Sequence, residues 1–233
     1  MNRDILDKLS AARAAKRPAA LATNLRSGQQ RLIFTDASEG ELCLDVDMIA
    51  AAADAIRRDE HIRFSTPAGE VFVQIFNPPP RLLIVGAVHI AQPLARAGDL
   101  TGYGVTIIDP RRGFATSQRF EGIDIAGDWP DEAMLKLKPD ARTAVVTLTH
   151  DPKLDDPALD AALKSPAFYI GALGSRKTHA ARLERLTGLG FKEADLKRIH
   201  GPVGLDIGAL SPAEIAISIM AQITQVRRAG VES

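Results

Sequence analysis

Apolar and polar positions alternate in blocks through the second half of the chain, where each short apolar run is followed by a stretch with helical spacing. The predicted strands are Leu82–Val85, Val105–Ile108, Ile123–Ile125, Thr143–Leu148, Ala167–Ile170 and Arg198–His200. The predicted helices are His89–Leu100, Asp131–Leu137, Pro157–Lys164, Arg176–Leu189 and Pro212–Arg228. Such alternation is typical of a parallel sheet covered by helices. This half is therefore predicted to be an α/β domain with a mostly parallel sheet.

The first part of the chain has a different pattern, with short strands grouped between two helices. The predicted helices are Asn2–Lys16 and Val46–Arg58, the second with apolar residues at helical spacing. The predicted strands are Ala19–Leu25, Arg31–Thr35, Glu41–Leu44, His61–Ser65 and Val71–Phe76, with turns at Gly28, at Gly40 and around Pro67-Ala68-Gly69. The pattern predicts a small α+β domain.

A run of three prolines, Pro78-Pro79-Pro80, separates the two patterns. Consecutive prolines remove backbone donors and favour a stiff, extended connector. We therefore expect an N-terminal α+β domain over residues 1–77 and an α/β domain over 78–233.

Composition excludes several classes of function. The 233 residues carry 29 basic and 29 acidic side chains, so no global field attracts nucleic acid or an anionic membrane. Aromatic residues make up 5% of the chain, which disfavours a base-stacking surface. No apolar stretch is long enough to span a membrane, and the charged N-terminus does not resemble a signal peptide. With Cys43 as its single cysteine, the chain is expected to be cytoplasmic.

The segment from Arg81 to Pro110 has the outline of a dinucleotide-binding βαβ unit. Gly86 permits a tight turn after the first strand, and the turn directs a helix N-terminus towards a phosphate. Val88 stands where the fingerprint has its second glycine, which disfavours close approach of a pyrophosphate. Asp109 follows the next strand and is predicted either to bind a ribose hydroxyl or to cap the turn. Arg111 and Arg112 are predicted either to bind a phosphate or to remain solvated.

Two further loops contain candidate ligand-binding residues. The second glycine turn, Gly171-Ala172-Leu173-Gly174-Ser175-Arg176-Lys177, opens a long helix and places two cations at its start. An anion site and an ordinary strand–turn–helix connection are both compatible with this pattern. The third loop, Gly201 to Gly208, is rich in glycine and includes Asp206, which either contacts a ligand or orients the loop.

His150 and Cys43 are the candidates for chemistry. His150 follows a predicted strand at the edge that faces a ligand crevice, so it can act as acid, base or ligand. Cys43 is either a small buried apolar residue or a soft ligand and sulfur carrier. His61, His89, His179 and His200 show no metal-ligand spacing, and no protein metal site is predicted.

Several of these segments resemble the XdhC/CoxI family. The matching residues are Phe76 to Ala87, His89, Ala91, Asp109-Pro110-Arg111, Thr149-His150-Asp151, Gly171 to Arg176 and Pro202 to Gly208. The last two segments are the most specific, and the resemblance covers nearly all of Pro78 to Arg228. The chain departs from the family pattern at Val88, at Ser27-Gly28-Gln29-Gln30 and in the segment Gly40 to Asp45, where the cysteine and an acid are kept without their glycines.

The resemblance implies a Rossmann-like C-terminal domain and an accessory role for molybdenum hydroxylases such as xanthine dehydrogenase or carbon monoxide dehydrogenase. The protein would then bind molybdenum cofactor, assist its sulfuration by a cysteine desulfurase and its insertion into the apoenzyme, and act as a chaperone more than as a catalyst. The resemblance also implies a homo-oligomer. The expected cofactor-binding residues are Gly86, Ala87, His89, Asp109, Arg111, His150, Gly171, Gly174, Ser175, Arg176, Lys177 and Asp206.

Two alternatives remain open at this point. An NAD(P)-dependent oxidoreductase would use the first glycine turn, with His150 as its acid or base, and Val88 argues against it. A docking scaffold of the same maturation pathway would bind part of a hydroxylase or a desulfurase without any small ligand.

Overall fold

A computed structural model of the protein describes residues 3–229, which form two compact units divided between Pro78 and Pro79. The N-terminal unit contains an antiparallel sheet in the order β3-β2-β1-β5-β4. Its strands are β1 (Ala19–Asn24), β2 (Gln30–Ile33), β3 (Ser38–Gly40), β4 (Ile62–Thr66) and β5 (Gly69–Phe76). Its helices are α1 (Arg3–Ala14) and α2 (Val46–Arg58).

The alternation of side chains along β1 gives this unit two small cores. Ala20 and Ala22 pack with α2, whereas Ala19 and Leu21 pack with α1, because successive strand residues point to opposite faces. Helix α2 begins at Asp45, whose carboxylate accepts a hydrogen bond of 2.7 Å from the Met48 amide. The α+β prediction for this unit is confirmed.

The prediction of the third strand is wrong. The sequence placed it at Glu41–Leu44 with Gly40 as a turn, but β3 lies at Ser38–Gly40 and pairs with β2. A tight turn from Phe34 to Ala37, closed by a hydrogen bond of 2.7 Å, returns the chain early. Gly40 has a φ of 137° and lies so close to the backbone of Gln30 that a side chain would overlap it.

The C-terminal unit is built on a parallel sheet in the order β11-β10-β9-β6-β7-β8. The strands are β6 (Arg81–Val85), β7 (Gly104–Ile108), β8 (Asp124–Ala126), β9 (Thr143–Thr147), β10 (Tyr169–Ala172) and β11 (Ile199–His200). The helices are α3 (Ala91–Leu100), α4 (Pro130–Leu137), α5 (Pro152–Leu163), α6 (Arg176–Gly188), α7 (Glu193–Leu196) and α8 (Pro212–Ala229). This doubly wound, Rossmann-like sheet confirms the predicted α/β class.

Both faces of the parallel sheet are buried, which explains why its strands are continuous apolar runs. Leu82 and Ile84 pack against α3 and α8, and Leu83 and Val85 pack against α4, α5 and α6. The chain runs outward from β6 to β8 and then returns to β9 on the other side of β6. The strand order therefore reverses between β6 and β9, the point where open α/β sheets bind ligands.

Three elements in this unit start two or more residues away from the predicted position, and one helix was not predicted. Helix α5 starts five residues before the predicted Pro157, because Asp151 caps it and Pro152 occupies its first position. Helix α3 starts at Ala91 instead of His89. Strand β10 starts at Tyr169 instead of Ala167, whose carbonyl accepts a hydrogen bond from Arg198. The short helix α7 was not predicted.

Candidate functional site

The carboxyl ends of the parallel strands bring the predicted cofactor-binding residues to one edge of the sheet, here called the rim. The neighbouring strands β10, β9 and β6 deliver the second glycine turn, the segment Thr149–Asp151 and the first glycine turn side by side. Asp109 and Arg111 follow β7, and Asp206 follows β11. Cys43 belongs to the N-terminal unit, where it is exposed.

The first glycine turn is fixed by close packing and by hydrogen bonds within the protein. Gly86 has a φ of 102°, and a Cβ there would overlap the methyl group of Thr149. The Ala87 amide donates to Asp109 Oδ2 at 2.8 Å, and the Ala87 carbonyl accepts from Arg119 Nη1 at 2.9 Å. Val88 is half-buried and packs against the core.

Asp109 is buried beneath this turn and is held by protein donors on both carboxylate oxygens. Oδ1 accepts from the amide and from Nε of Arg111, each at 2.9 Å, and Oδ2 accepts from Arg111 Nη2 at 2.7 Å as well as from Ala87. Burial disfavours the charge, but these hydrogen bonds outweigh it and lower the pKa of Asp109. The geometry favours the turn-capping interpretation, with Arg111 engaged by Asp109; a contact of either residue with a ligand stays a prediction.

The second glycine turn is open by comparison. Gly174 has a φ of 138°, and Ser175 caps α6 by accepting from the Thr178 amide at 3.2 Å. The side chains of Arg176 and Lys177 are exposed, and neither forms an ion pair with any residue in 3–229. Two uncommitted cations at a helix N-terminus form a favourable environment for an anion.

A cavity of about 370 Å³, here called the rim cavity, lies beside the second turn. Gly204, with a φ of 94°, lets the third loop approach α8 so closely that a side chain would overlap the Ser218 hydroxyl. Gln222 holds this loop by accepting from the Gly204 amide at 2.9 Å. The cavity is lined by Leu173, Arg176, Pro202 to Ala209, Ile215 and Ser218.

A buried polar cluster beneath the second turn was missed by sequence reasoning. Asp155 and Arg182 are each 2% exposed, and Arg182 Nη2 lies 3.6 Å from Asp155 Oδ2. Thr149 donates to Asp155 Oδ1 at 2.6 Å, and Arg182 Nη2 donates to the Leu173 carbonyl at 2.7 Å. Nε and Nη1 of Arg182 are buried and have no hydrogen-bond partner within the described part of the chain.

The electrostatics of this cluster follow from its burial. Burial raises the pKa of Asp155 to about 7, against the opposing effects of the Thr149 hydrogen bond and the Arg182 charge. Burial and the nearby Arg182 lower the pKa of His179, whose Nδ1 is buried without a partner among residues 3–229. One signal for the cluster was available in the sequence: Arg182 occupies the face of α6 that also carries the buried Leu186.

The remaining candidates do not join this cluster. His150 and His89 are exposed on the rim. Within residues 3–229, no group of three or more histidine, cysteine, aspartate or glutamate side chains is arranged to hold a metal ion. In the same range, no helix combines the length and apolar character that a membrane span requires.

A larger groove lies elsewhere on the C-terminal unit. Its volume is about 1100 Å³, and it runs along α4, α5 and α6 between side chains such as Leu135 and Leu189. None of the predicted site residues lines it. The rim cavity therefore remains the candidate site, because it adjoins the residues with ligand-binding chemistry.

The fold and the rim together define a chain of the XdhC class. Residues 82–223, more than half of the chain, match the XdhC Rossmann domain. The chain belongs to the XdhC family, which confirms the resemblance inferred from its motifs.

Three curated relatives are similar over about two thirds of the chain or more. The molybdenum cofactor insertion chaperone PaoD of Escherichia coli is 34% identical over 65% of this chain and 42% of its own length. A probable xanthine dehydrogenase subunit from Bacillus subtilis is 32% identical over 72% and 49%. The protein YqeB of Escherichia coli is 31% identical over 69% and 30%. The chain therefore spans less than half the length of these relatives.

A solved structure supports the same fold over a longer range. The crystal structure of a xanthine dehydrogenase from Bacillus halodurans superposes with a TM-score of 0.77 at 25% identity. The match covers 99% of this chain and 68% of the other. Both units of the present structure thus have a counterpart in that protein.

Proposed function

We propose that the protein is an accessory factor of a molybdenum hydroxylase that binds molybdenum cofactor as its cargo and assists its maturation or insertion. The observation that carries the proposal is the rim cavity, which lies within the region matched by the XdhC Rossmann domain. The similarity to the insertion chaperone PaoD over 152 residues supports the same role. The apoenzyme of the hydroxylase is then the partner, and a cysteine desulfurase is a second one.

The residues of the rim fit one end of this cargo. Molybdenum cofactor is a pterin with a phosphate group and a dithiolene that binds the metal. The start of α6 offers amides and the Arg176 guanidinium to the phosphate, and Leu173, Val203 and Ile215 offer apolar surface to the flat ring. These side chains can bind the cofactor and orient it without making or breaking covalent bonds.

His150 and Cys43 remain candidates for a chemical role in the maturation of the cofactor. His150 is exposed at the carboxyl end of β9 and can donate or accept a hydrogen bond there. Cys43 is an exposed thiol, which suits transient contact with a desulfurase or with sulfur. We also propose that the protein forms a homo-oligomer.

The cargo itself provides the test. Protein purified from a host that makes molybdenum cofactor is oxidised, and the released pterin is measured by fluorescence; apoprotein is also titrated with added cofactor. We expect about one pterin per binding site. The double variant Arg176→Ala/Lys177→Ala should retain less, whereas Arg112→Ala, an exposed arginine beside the first turn, should retain the wild-type amount. Absence of pterin in both assays would contradict the proposal.

The two alternatives are separated by further measurements. A nicotinamide-dependent oxidoreductase predicts binding of NADH or NADPH, which a fluorescence titration detects; the hydrogen bonds that occupy Asp109 do not support it. A docking scaffold predicts that the apoenzyme is captured equally well by the wild type and by Arg176→Ala/Lys177→Ala. A cargo-dependent chaperone predicts that capture by the wild type increases when cofactor is added.

A further inference from the structure

The two glycine turns of the rim differ in the charge that lies beneath them. Both are strand–turn–helix connections at a parallel strand end. Beneath the first turn lies the Asp109 carboxylate, which engages Arg111 through two side-chain hydrogen bonds. Beneath the second turn lies the Arg182 guanidinium, which is bonded to the Leu173 carbonyl at 2.7 Å. The first turn is therefore supported by the closed ion pair of Asp109 and Arg111, with Arg119 bonded to its Ala87 carbonyl, and the second by a cation whose nearest carboxylate lies 3.6 Å away.

The cation beneath the second turn is only partly compensated. Asp155 is the nearest carboxylate, but its 3.6 Å distance to Arg182 is longer than that of a charge-assisted hydrogen bond. Thr149 competes for the same carboxylate at 2.6 Å. Two of the three Arg182 nitrogens have no partner within residues 3–229, although the residue is only 2% exposed. An incompletely paired buried charge is costly, so it is typical of a functional site.

The surface above Arg182 is suited to an anion. Leu173, whose carbonyl Arg182 binds, lines the rim cavity together with Arg176. The amides of Ser175, Arg176 and Lys177 have no acceptor among residues 3–229, because they precede the first full turn of the 13-residue helix α6. These amides and the uncommitted Arg176 side chain favour negative charge at the start of α6. Buried Arg182 adds positive potential beneath Leu173, against the exposed Asp206 carboxylate that also lines the cavity.

We propose that the second glycine turn and the rim cavity form a binding site for the phosphate monoester of a small molecule, with buried Arg182 as its positioning residue. The phosphate is held by the amides at the start of α6 and by Arg176. Arg182 acts from below by fixing the Leu173 carbonyl and by contributing positive potential. The first turn has a structural role. The identity of the ligand as the pterin cofactor rests on the proposed function. The alternative phosphate monoester is a mononucleotide.

The test compares matched ligand pairs that differ only in the phosphate. The oxidised, phosphorylated pterin of molybdenum cofactor and its dephosphorylated form are titrated into the full chain, followed by 5′-AMP and adenosine. We expect the wild type to prefer the phosphorylated pterin by about tenfold or more. Arg176→Ala should bring this preference close to one, whereas Arg112→Ala should leave it unchanged.

Substitutions of Arg182 and of its neighbour Asp155 show whether Arg182 acts through its charge or only supports the fold. Arg182→Met should lower the affinity for the phosphorylated pterin by about tenfold and leave that for the dephosphorylated form unchanged. Arg182→Lys, which keeps the charge, should retain most of the preference. Asp155→Asn removes the competing carboxylate and should raise the affinity by about threefold near pH 8. A purely structural pair predicts that substitutions on either side weaken binding of both ligands.

Each outcome decides between the proposals. If the phosphate preference survives Arg176→Ala or is lost in Arg112→Ala, the second turn is not the phosphate site. If Arg182→Met does not fold, Arg182→Lys and Asp155→Asn decide, because the proposal requires the first to keep the phosphate preference and the second to raise the affinity, whereas a purely structural pair requires both to weaken binding. If pterin binds but neither Arg176→Ala nor Arg182→Met lowers its preference for the phosphorylated form, the inference fails and the cofactor function stands. If 5′-AMP is preferred over adenosine with the same variant dependence and pterin does not bind, the site stands and the cofactor function fails.

Discussion

The two glycine turns of the parallel sheet have the same topology, but they differ in whether their charged side chains have partners within the protein. At the first turn, Ala87, Asp109, Arg111 and Arg119 bind one another, so the polar groups of the turn stabilise the fold. At the second turn, Arg176 and Lys177 extend into solvent without ion pairs in the described range. The comparison teaches that a glycine turn at the end of a β-strand does not itself specify a ligand site; the partners of its neighbouring charges do.

The largest expected effect concerns the acid beneath the first turn. Asp109→Ala leaves the Ala87 amide and the partly exposed Arg111 guanidinium without their acceptor, so we expect the free energy of unfolding to fall by about 3–5 kcal/mol. Urea denaturation followed by circular dichroism measures this loss. Asp206→Ala, at an exposed carboxylate of the third loop, is the control and should change stability by less than about 0.5 kcal/mol. A small loss for Asp109→Ala would remove the structural role assigned to the first turn.

The glycine of the first turn gives the next largest effect. Gly86→Ala introduces a Cβ that overlaps the Thr149 methyl group at a backbone φ of 102°, so we expect a loss of about 2–4 kcal/mol. Gly102→Ala is the matched control, because Gly102 also has a positive φ, of 83°, but has no atom within 4 Å of the new Cβ. It should cost about 1 kcal/mol. Equal losses in both variants would show that backbone strain alone, without the contact to Thr149, sets the cost.

The buried acid of the second turn predicts a pH dependence of stability. Because burial raises the pKa of Asp155 from 3.8 to about 7, the folded protein binds this proton more tightly than the unfolded chain. Its contribution to stability is therefore fully present below the unfolded pKa and is lost as the pH rises through about 7. The charged groups facing it are Arg182 and Arg185 from α6, Asp156 from its own helix and Arg111 from the loop after β7.

The difference between the wild type and Asp155→Asn isolates this group. Between about pH 5 and pH 7, the wild type should lose roughly 2 kcal/mol relative to the variant, since each pH unit contributes at most about 1.4 kcal/mol. Unfolding midpoints of both proteins in urea at several pH values measure the difference. If the wild type instead loses stability relative to Asp155→Asn as the pH falls, Arg182 dominates and keeps Asp155 ionised.

The fold was predictable from the sequence because its periodicity is strong. Fully buried strands such as Leu82–Val85 appear as continuous apolar runs. Boundaries failed where tertiary contacts override local preference. Gly40 suggested a turn but pairs in β3, and Pro157 suggested a helix start but lies inside α5. A sequence pattern does not show which backbone a glycine will pack against.

The rim was predictable in outline and not in detail. Because parallel strands end at the same edge, Gly86, His150 and Gly174 were expected together. The pairing of Asp109 with Arg111 and of Thr149 with Asp155 depends on side-chain directions within short segments, and only Arg182 reaches its cluster from a distant helix. Composition does not encode such contacts. Arg182 was detectable only as a charge on the buried face of α6, and its partner was not detectable at all.

Removal of the two exposed cations of the second turn should change stability least. Arg176 and Lys177 make no ion pairs within residues 3–229, so Arg176→Ala/Lys177→Ala should change the free energy of unfolding by less than about 0.5 kcal/mol. Added phosphate monoester should raise the thermal midpoint of the wild type and not that of this variant, since a ligand stabilises only the state that binds it. Thermal denaturation with and without the ester measures both quantities. A large loss of stability in the variant without ligand would mean that these cations support the fold, and the contrast with the first turn would disappear.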